Sequence, residues 1–250
     1  MGILRNIGKG ITTFLFSIFL ALLLLTFLLY NITAYENMKN IFITAFRSVL
    51  LQNMTSQEIE EKYSMLSSYC KTNAEVTLPI DNITLRCSEI LEKDSSGFVN
   101  LIMEKIFDNF YFKNYECNFI DCLKEIRSGE DIAVVFSSLS HNFFEKIFGQ
   151  LLMATVVTGI ALFFLIETWD GRFKVFGLEF LSIGVFFFFL SYFKVFLIER
   201  IPKDLPIGEN VLDIVFNQLS SILLIFLILG VAFFVAWILM KFFGKSKKPK

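Results

Sequence analysis

The sequence predicts an all-α polytopic membrane protein with four transmembrane helices and a mainly helical, disulfide-stapled extracellular domain between the first and second. Four apolar runs are each close to the ~20 residues that an α-helix needs to cross ~30 Å of hydrocarbon. One long polar stretch separates the first two runs and contains all four cysteines. Apolar residues make up 55% of the 250-residue chain and charged residues 19%, which is more apolar than a soluble domain usually is.

The four runs occupy residues 11–32, 147–166, 175–198 and 219–240. Inside a bilayer, only helices and closed barrels satisfy every polar group of the backbone. Barrel strands are ~10-residue segments of alternating polarity, whereas these runs are long and uniformly apolar. The first run is also longer than the apolar core of a signal peptide. We therefore expect four membrane-spanning helices, the first retained as an anchor.

Lysine and arginine residues near the ends of the runs predict the orientation. With residues 1–10, 167–174 and 241–250 inside and the loop within 199–218 outside, the inner segments carry nine basic residues and the outer loop two. We therefore expect a plasma-membrane protein with both termini cytoplasmic and residues 33–146 outside. The inner nine are Arg5, Lys9, Arg172, Lys174, Lys241, Lys245, Lys247, Lys248 and Lys250, and the outer two are Arg200 and Lys203.

The predicted outer domain is acidic. Residues 33–146 contain 17 acidic and 11 basic residues, a net charge of −6, while the rest of the chain contains 7 acidic and 12 basic residues, a net charge of +5. This distribution lacks the basic surface that nucleic-acid binding requires.

The four cysteines predict two disulfides, because an even number of cysteines in an exported region is typical of a disulfide framework. Three connectivities are open, and local closure favours Cys70–Cys87 with Cys117–Cys122. The second bond requires the intervening chain to leave α-helical geometry, because residues five apart diverge around a helix. A helix over 117–122 would favour a crossed pairing. The spacing lacks the paired C-x2-C of a structural zinc site.

Periodicity predicts the secondary structure of the outer domain. Residues 75–87 read as extended or looped around Pro79, and residues 94–97 read as a turn. Ser56 is near, but not at, the spacing of a capping box with the residues that follow it. We expect the last helix of the domain to run directly into the second membrane segment. The predicted helices cover residues 38–50, 56–69, 98–112 and 132–148.

Two N-x-T sequences in the domain make Asn53 and Asn82 candidate N-glycosylation sites, with chance occurrence as the alternative. A third, at Asn31, lies at the predicted membrane edge.

Polar residues within or beside the apolar runs are candidate intramembrane sites, because such residues are costly in lipid. One interpretation is that Glu179 and Lys194 are interfacial, since each is near an end of the third run. The other is that Glu179 faces the bundle and bonds to Thr13 or Ser17, as a packing lock or an ion contact. The candidates are Glu179, Lys194, Gln150 and Asn217.

Small residues repeat along single helical faces, with Gly177, Gly184 and Ser191 at heptad spacing and Gly230 in the fourth run. We expect these faces to pack helices together, since small residues let membrane helices approach closely. The alternative is a water-facing stripe that lines a pore built from several copies.

The basic tail has two interpretations. Lys241, Lys245, Lys247, Lys248 and Lys250 can contact anionic lipid headgroups, or they can serve only as a topological signal.

The sequence contains no catalytic, nucleotide-binding or metal-binding motif, and its single histidine, His141, excludes two-histidine metal sites. We therefore expect a non-enzymatic protein without a cofactor, whose acidic domain mediates protein interaction or self-assembly. The alternative is a subunit of an oligomeric channel or transporter.

Overall fold

A computed structural model describes residues 2–53, 55–78, 83–124, 131–200 and 206–243, with the backbone alone over several stretches that include 190–200 and 206–215. These residues form nine α-helices, one 3-10 helix and one two-stranded hairpin. The helices are α1 (Gly2–Thr33), α2 (Tyr35–Asn53), α3 (Ser56–Cys70), α4 (Cys87–Leu91), α5 (Ser95–Tyr111), α6 (Phe119–Lys124), α7 (Ser138–Leu165), α8 (Trp169–Arg200) and α9 (Pro206–Phe243).

The chain divides into two compact units. The first, which we call the apolar unit, comprises Met1–Tyr30, Phe144–Pro202 and Leu212–Lys250. The second, the disulfide unit, comprises Asn31–Phe143 and Lys203–Val211.

Three helices in the described residues are long and apolar enough to span a membrane, over Arg5–Thr33, Ser138–Leu165 and Leu224–Phe242. Large apolar side chains such as Phe14 and Phe164 lie exposed on them. Exposed apolar surface on this scale is typical of a surface that lipid or a partner covers. The helices indicate a multi-pass membrane protein and confirm the predictions for the first, second and fourth apolar runs.

The core of the apolar unit is formed by side chains of α1, α7, α8 and α9. Phe16 and Leu20 of α1 are buried with Leu162 of α7, Ile183 of α8 and Leu219 of α9. The four long helices therefore share one core.

The disulfide unit is mainly helical, as predicted, and adds a hairpin. Strands β1 (Glu75–Thr77) and β2 (Thr84–Arg86) pair antiparallel, with Val76 opposite Leu85. This agrees with the extended chain predicted over residues 75–87. Leu85 is fully buried and joins Ile90 and Phe98 in a core beneath α3 and α5.

One helix start agrees with the prediction and one differs. Helix α3 begins at Ser56, as predicted, but its capping box is formed by Thr55 and not by Ser56: Thr55 accepts a hydrogen bond from the Glu58 N–H, and the Glu58 carboxylate accepts one from the Thr55 N–H. This reciprocal pair satisfies two backbone donors at the helix start. Residues 94–97, predicted as a turn, belong to the start of α5, where Asp94 is the N-cap and accepts from the Gly97 N–H.

The continuous helix predicted over residues 132–148 is wrong. A 3-10 helix covers Asp131–Phe136, and α7 begins only at Ser138. The Ser137 hydroxyl donates to the Val134 carbonyl at 2.7 Å, and the Ser140 hydroxyl donates to the Ser137 carbonyl at 2.8 Å. Serine side chains that bond to nearby backbone compete with regular helix, which accounts for the break.

We predict that Gly230→Ala destabilises the bundle. A Cβ at residue 230 would lie 2.8 Å from the Leu181 backbone nitrogen, so α8 and α9 would have to separate. Overpacking of this kind costs about 1–3 kcal/mol, which corresponds to a fall in Tm of at least about 2 °C for a chain of this size. The measurement is thermal unfolding of the detergent-solubilised protein.

Gly149→Ala is the matched control, because a Cβ at residue 149 has no neighbouring atom within 4 Å. Alanine is the better helix former by up to about 1 kcal/mol, so this variant should keep or raise Tm. Equal effects of the two substitutions would contradict the close approach of α8 to α9.

Candidate functional site

Both disulfides of the disulfide unit have the local pairing. Cys70 ends α3 and Cys87 begins α4, with their Cα atoms 4.9 Å apart. Both side chains are buried in the same core as Leu85 and Ile90. The bond therefore closes the loop that contains the hairpin and ties it to two helices.

The second disulfide joins Cys117 to Cys122, with Cα atoms 5.6 Å apart. Helix α6 begins at Phe119, after Cys117, so the chain between the two cysteines is not a continuous helix. Asn118 caps α6 by accepting a hydrogen bond from the Asp121 N–H. The prediction required the chain between Cys117 and Cys122 to leave α-helical geometry. It does so because α6 begins only at Phe119.

Tyr35 and Lys39 of α2 join this helix to α5 within the disulfide unit. The Tyr35 hydroxyl donates to the Asp108 carboxylate at 2.6 Å, and Lys39 forms an ion pair with Glu104 one turn along. The bond to Asp108, burial and nearby carboxylates raise the pKa of the Tyr35 phenol. Burial also raises the pKa of Tyr111 to about 12, and its hydroxyl donates to the Thr33 carbonyl at 2.9 Å.

One face of α3 exposes two large side chains to solvent. Met65 is 69% exposed and Tyr69 is 49% exposed. Residues four apart lie together on a helix surface, so the two form one apolar patch. A different face of α3 carries Tyr63 and Leu66, which are partly buried and pack against the core. The patch is therefore not needed for packing within the unit.

In the apolar unit, the Ser17 hydroxyl of α1 lies 2.6 Å from Glu179 Oε2 of α8. The hydroxyl is also 3.0 Å from the Thr13 carbonyl. This is one of the two contacts that the bundle-facing interpretation of Glu179 predicted, although its role as a packing lock or an ion contact stays a prediction. Thr13, the other predicted partner, instead donates to the Lys9 carbonyl of its own helix.

The small residues of α8 pack against α9. A Cβ at Gly177 would lie 3.1 Å from the Phe234 backbone nitrogen, and one at Gly184 would lie 2.8 Å from the Leu227 side chain. The packing interpretation of this stripe is confirmed at these two glycines. The side chain of Ser191 lies outside the described residues.

Two arginines satisfy backbone carbonyls at the end of α7. The Arg5 guanidinium donates to the Leu165 carbonyl from two nitrogens, at 2.9 and 3.2 Å, and forms an ion pair with Glu167. The Arg172 Nε donates to the Ile166 carbonyl at 2.9 Å. The last carbonyls of a helix lack partners within the helix, so these basic residues stabilise the α7–α8 turn.

The remaining sequence candidates are dispersed. Gln150 is exposed on α7, and Asn217 is exposed on α9. Lys194 lies in α8 and Asn53 at the end of α2, but the side chains of both are outside the described residues, as is the whole of Asn82. The Lys241 ammonium lies 5.3 Å from the centre of the Trp237 ring. Outside the described residues lie Lys245, Lys247, Lys248 and Lys250.

Within the ranges that the structure describes, no group of three or more histidine, cysteine, aspartate or glutamate side chains is placed to hold a metal ion. His141 Nδ1 instead lies 3.4 Å from the Thr33 hydroxyl in the disulfide unit.

No protein-family model matches the chain, and neither the curated proteins nor the solved structures compared with it give a match.

We predict that the Ser17–Glu179 contact couples α1 to α8. Hydrogen bonds between membrane helices average about 0.6 kcal/mol in double-mutant cycles, so S17A and E179A should be non-additive by about that amount. The measurement is the free energy of unfolding in bicelles for both single variants and the double variant.

The matched control is S182A combined with E179A. The Ser182 hydroxyl donates to the Glu179 backbone carbonyl, which E179A retains, so these two substitutions should be additive. A coupling energy near zero for S17A with E179A would contradict the contact.

We predict that Tyr35→Phe changes how stability depends on pH above about 10. As pH rises, the unfolded chain releases the Tyr35 proton at the ordinary pKa of 10.0, while the folded state still holds it because its pKa is raised. Stability from this group is therefore complete below pH 10 and falls as pH rises through the raised pKa. The measurement is Tm against pH, in which Tyr35→Phe should show the shallower alkaline decline.

Tyr69→Phe is the control for this titration, since Tyr69 is exposed on α3. It should keep the wild-type decline. A Tyr35→Phe profile parallel to wild type would contradict the link between this phenol and folding.

Proposed function

We propose that this protein is a four-pass, non-enzymatic protein of the plasma membrane, with both termini cytoplasmic, whose disulfide unit binds another protein or a second copy of the chain. The observation that carries the proposal is the exposed apolar patch of Met65 and Tyr69 on that unit. Methionine and tyrosine are enriched at protein interfaces.

The length and packing of α8 support a fourth crossing. Helix α8 has 32 residues, which corresponds to ~48 Å at 1.5 Å per residue and exceeds a ~30 Å hydrocarbon core. It approaches α9 closely at Gly184 and Gly230.

The disulfides and the basic residues support the orientation. Disulfides persist in oxidising compartments, which favours an external disulfide unit. Arg5 and Arg172 meet at the α7–α8 turn, so the basic residues that favour the cytoplasmic side are together at one end of the bundle.

The charge of the disulfide unit suggests the chemistry of the partner. Residues 33–146 have a net charge of −6, and complementary charge steers association and selects partners. A basic protein surface with an apolar centre would complement the patch and the net negative charge of residues 33–146.

Site-specific photocrosslinking tests this function. Benzoylphenylalanine placed at Met65 should give an adduct of one defined mass in the native membrane. Glu60 is the control position, because it is exposed on the same helix but ~140° around it. An adduct of twice the 28.9 kDa chain would identify self-assembly, and another discrete mass would identify a different protein. Equal labelling at both positions, or none at Met65, would contradict the proposal.

A second candidate function is ion or proton transport. It rests on Glu179 of α8, whose carboxylate contacts Ser17 of α1. Intramembrane carboxylates commonly mark ion pathways. Proteoliposomes loaded with a pH-sensitive dye distinguish the candidates. A flux that Glu179→Gln removes would favour transport, and the absence of flux in the wild type would favour the interaction function.

A further inference from the structure

A groove lined by six aromatic rings lies in the apolar unit, with Arg172 at one end. Its volume is about 300 Å³, within the lower range of small-molecule sites. Phe163 of α7 forms one wall and Phe233 of α9 another. The floor is formed by four residues of α8: Trp169, Phe173, Phe176 and Phe180.

The spacing of the floor residues makes the groove long and narrow. They recur at intervals of four, three and four residues, which places them on one face of α8. From Trp169 to Phe180 the helix rises ~16 Å at 1.5 Å per residue, about half of a ~30 Å hydrocarbon core. The rings of Phe176 and Phe180 lie 6.4 and 5.7 Å from the ring of Phe233, which holds the wall against the floor. The groove thus has the depth of one lipid leaflet.

The end of the groove near Trp169 is positively charged. The Arg172 guanidinium lies over the rings of Phe163 and Trp169, at 4.1 and 4.7 Å from their centres. Its Nε is bonded to the Ile166 carbonyl, while a guanidinium has five N–H donors in all. Lys174 and Lys241 do not line the groove; they lie 5.7 and 5.3 Å from the centre of the Trp237 ring, one turn along α9 from Phe233.

The acidic groups of this end do not cancel that charge. Glu167 pairs with Arg5 on the other side of the turn, and Glu179 contacts Ser17. Asp170 is exposed. Arg172 is therefore the charged residue that lines the groove, and the exposed Asp170 lies two residues before it in the sequence.

We propose that this groove binds one anionic phospholipid, with an acyl chain along the aromatic rings and the phosphate at Arg172. An apolar cavity of this kind takes up hydrocarbon rather than water. A guanidinium also matches phosphate geometry with paired N–H donors. The groove requires only the packing of α7, α8 and α9 in lipid. Lipid binding there is therefore independent of any protein partner of the disulfide unit.

Fluorescence quenching by brominated lipid tests the site directly, because Trp169 lines the groove and Trp237 is the only other tryptophan of the chain. The full chain carrying Trp237→Phe is reconstituted with brominated phosphatidylglycerol or brominated phosphatidylcholine of the same acyl chains. Trp169 should be half-quenched at an at least threefold lower mole fraction of phosphatidylglycerol. Arg172→Gln should remove that preference.

Arg5→Gln is the matched control. Arg5 also donates to a carbonyl at the end of α7 but does not line the groove, so this variant should keep the preference. Arg172→Lys, which keeps the charge, should retain part of it. Equal quenching by the two lipids in the Trp237→Phe parent, which needs no arginine variant to fold, would overturn the proposal. So would a preference that Arg5→Gln and Arg172→Gln reduce alike.

Discussion

The close approach of α8 to α9 is the contact on which the apolar unit depends. In lipid, helices gain little from the hydrophobic effect when they associate, so van der Waals packing and hydrogen bonds must hold them together. At Gly184 and Gly230 the neighbouring helix lies where a Cβ would otherwise be. This contact fixes the rotation of α8, and that rotation turns Glu179 toward Ser17 of α1 and the aromatic floor toward Phe233. One packing constraint therefore sets both the polar contact and the groove.

Two basic residues near the helix ends make structural contacts with the backbone. Arg5 donates to the carbonyl of Leu165, the last residue of α7, and Arg172 donates to the carbonyl of Ile166, the residue after it. On the other side of the turn, Thr168 accepts from the Gly171 N–H and begins α8. Several backbone groups of the turn between α7 and α8 are thus hydrogen-bonded, and two arginine side chains supply part of these bonds.

Much of this arrangement could be predicted from the sequence, because its strongest signals are continuous apolar runs and cysteines close together in the chain. Three of the apolar runs and the local disulfide pairing follow from run length and cysteine spacing. The Glu179–Ser17 contact was one of two interpretations that the sequence left open. The capping box at Thr55 was missed because Ser56, the first residue of α3, was considered as the cap in place of the residue before it. The break at Ser137 was missed because apolar periodicity continues across it, while side-chain bonds to backbone end the helix. The hydrogen bond from Tyr35 to Asp108 joins residues 73 positions apart, and no local pattern carries that information.

The proposed function requires α8 to cross the membrane and to return the chain to the side of the disulfide unit. Cysteine labelling in intact cells measures this directly, since all four native cysteines are in disulfides. Thr168→Cys and Lys203→Cys flank α8, and Lys113→Cys reports the disulfide unit. A membrane-impermeant maleimide should label residues 113 and 203 on intact cells and residue 168 only after permeabilisation. Labelling of residues 168 and 203 from the same side would contradict the account.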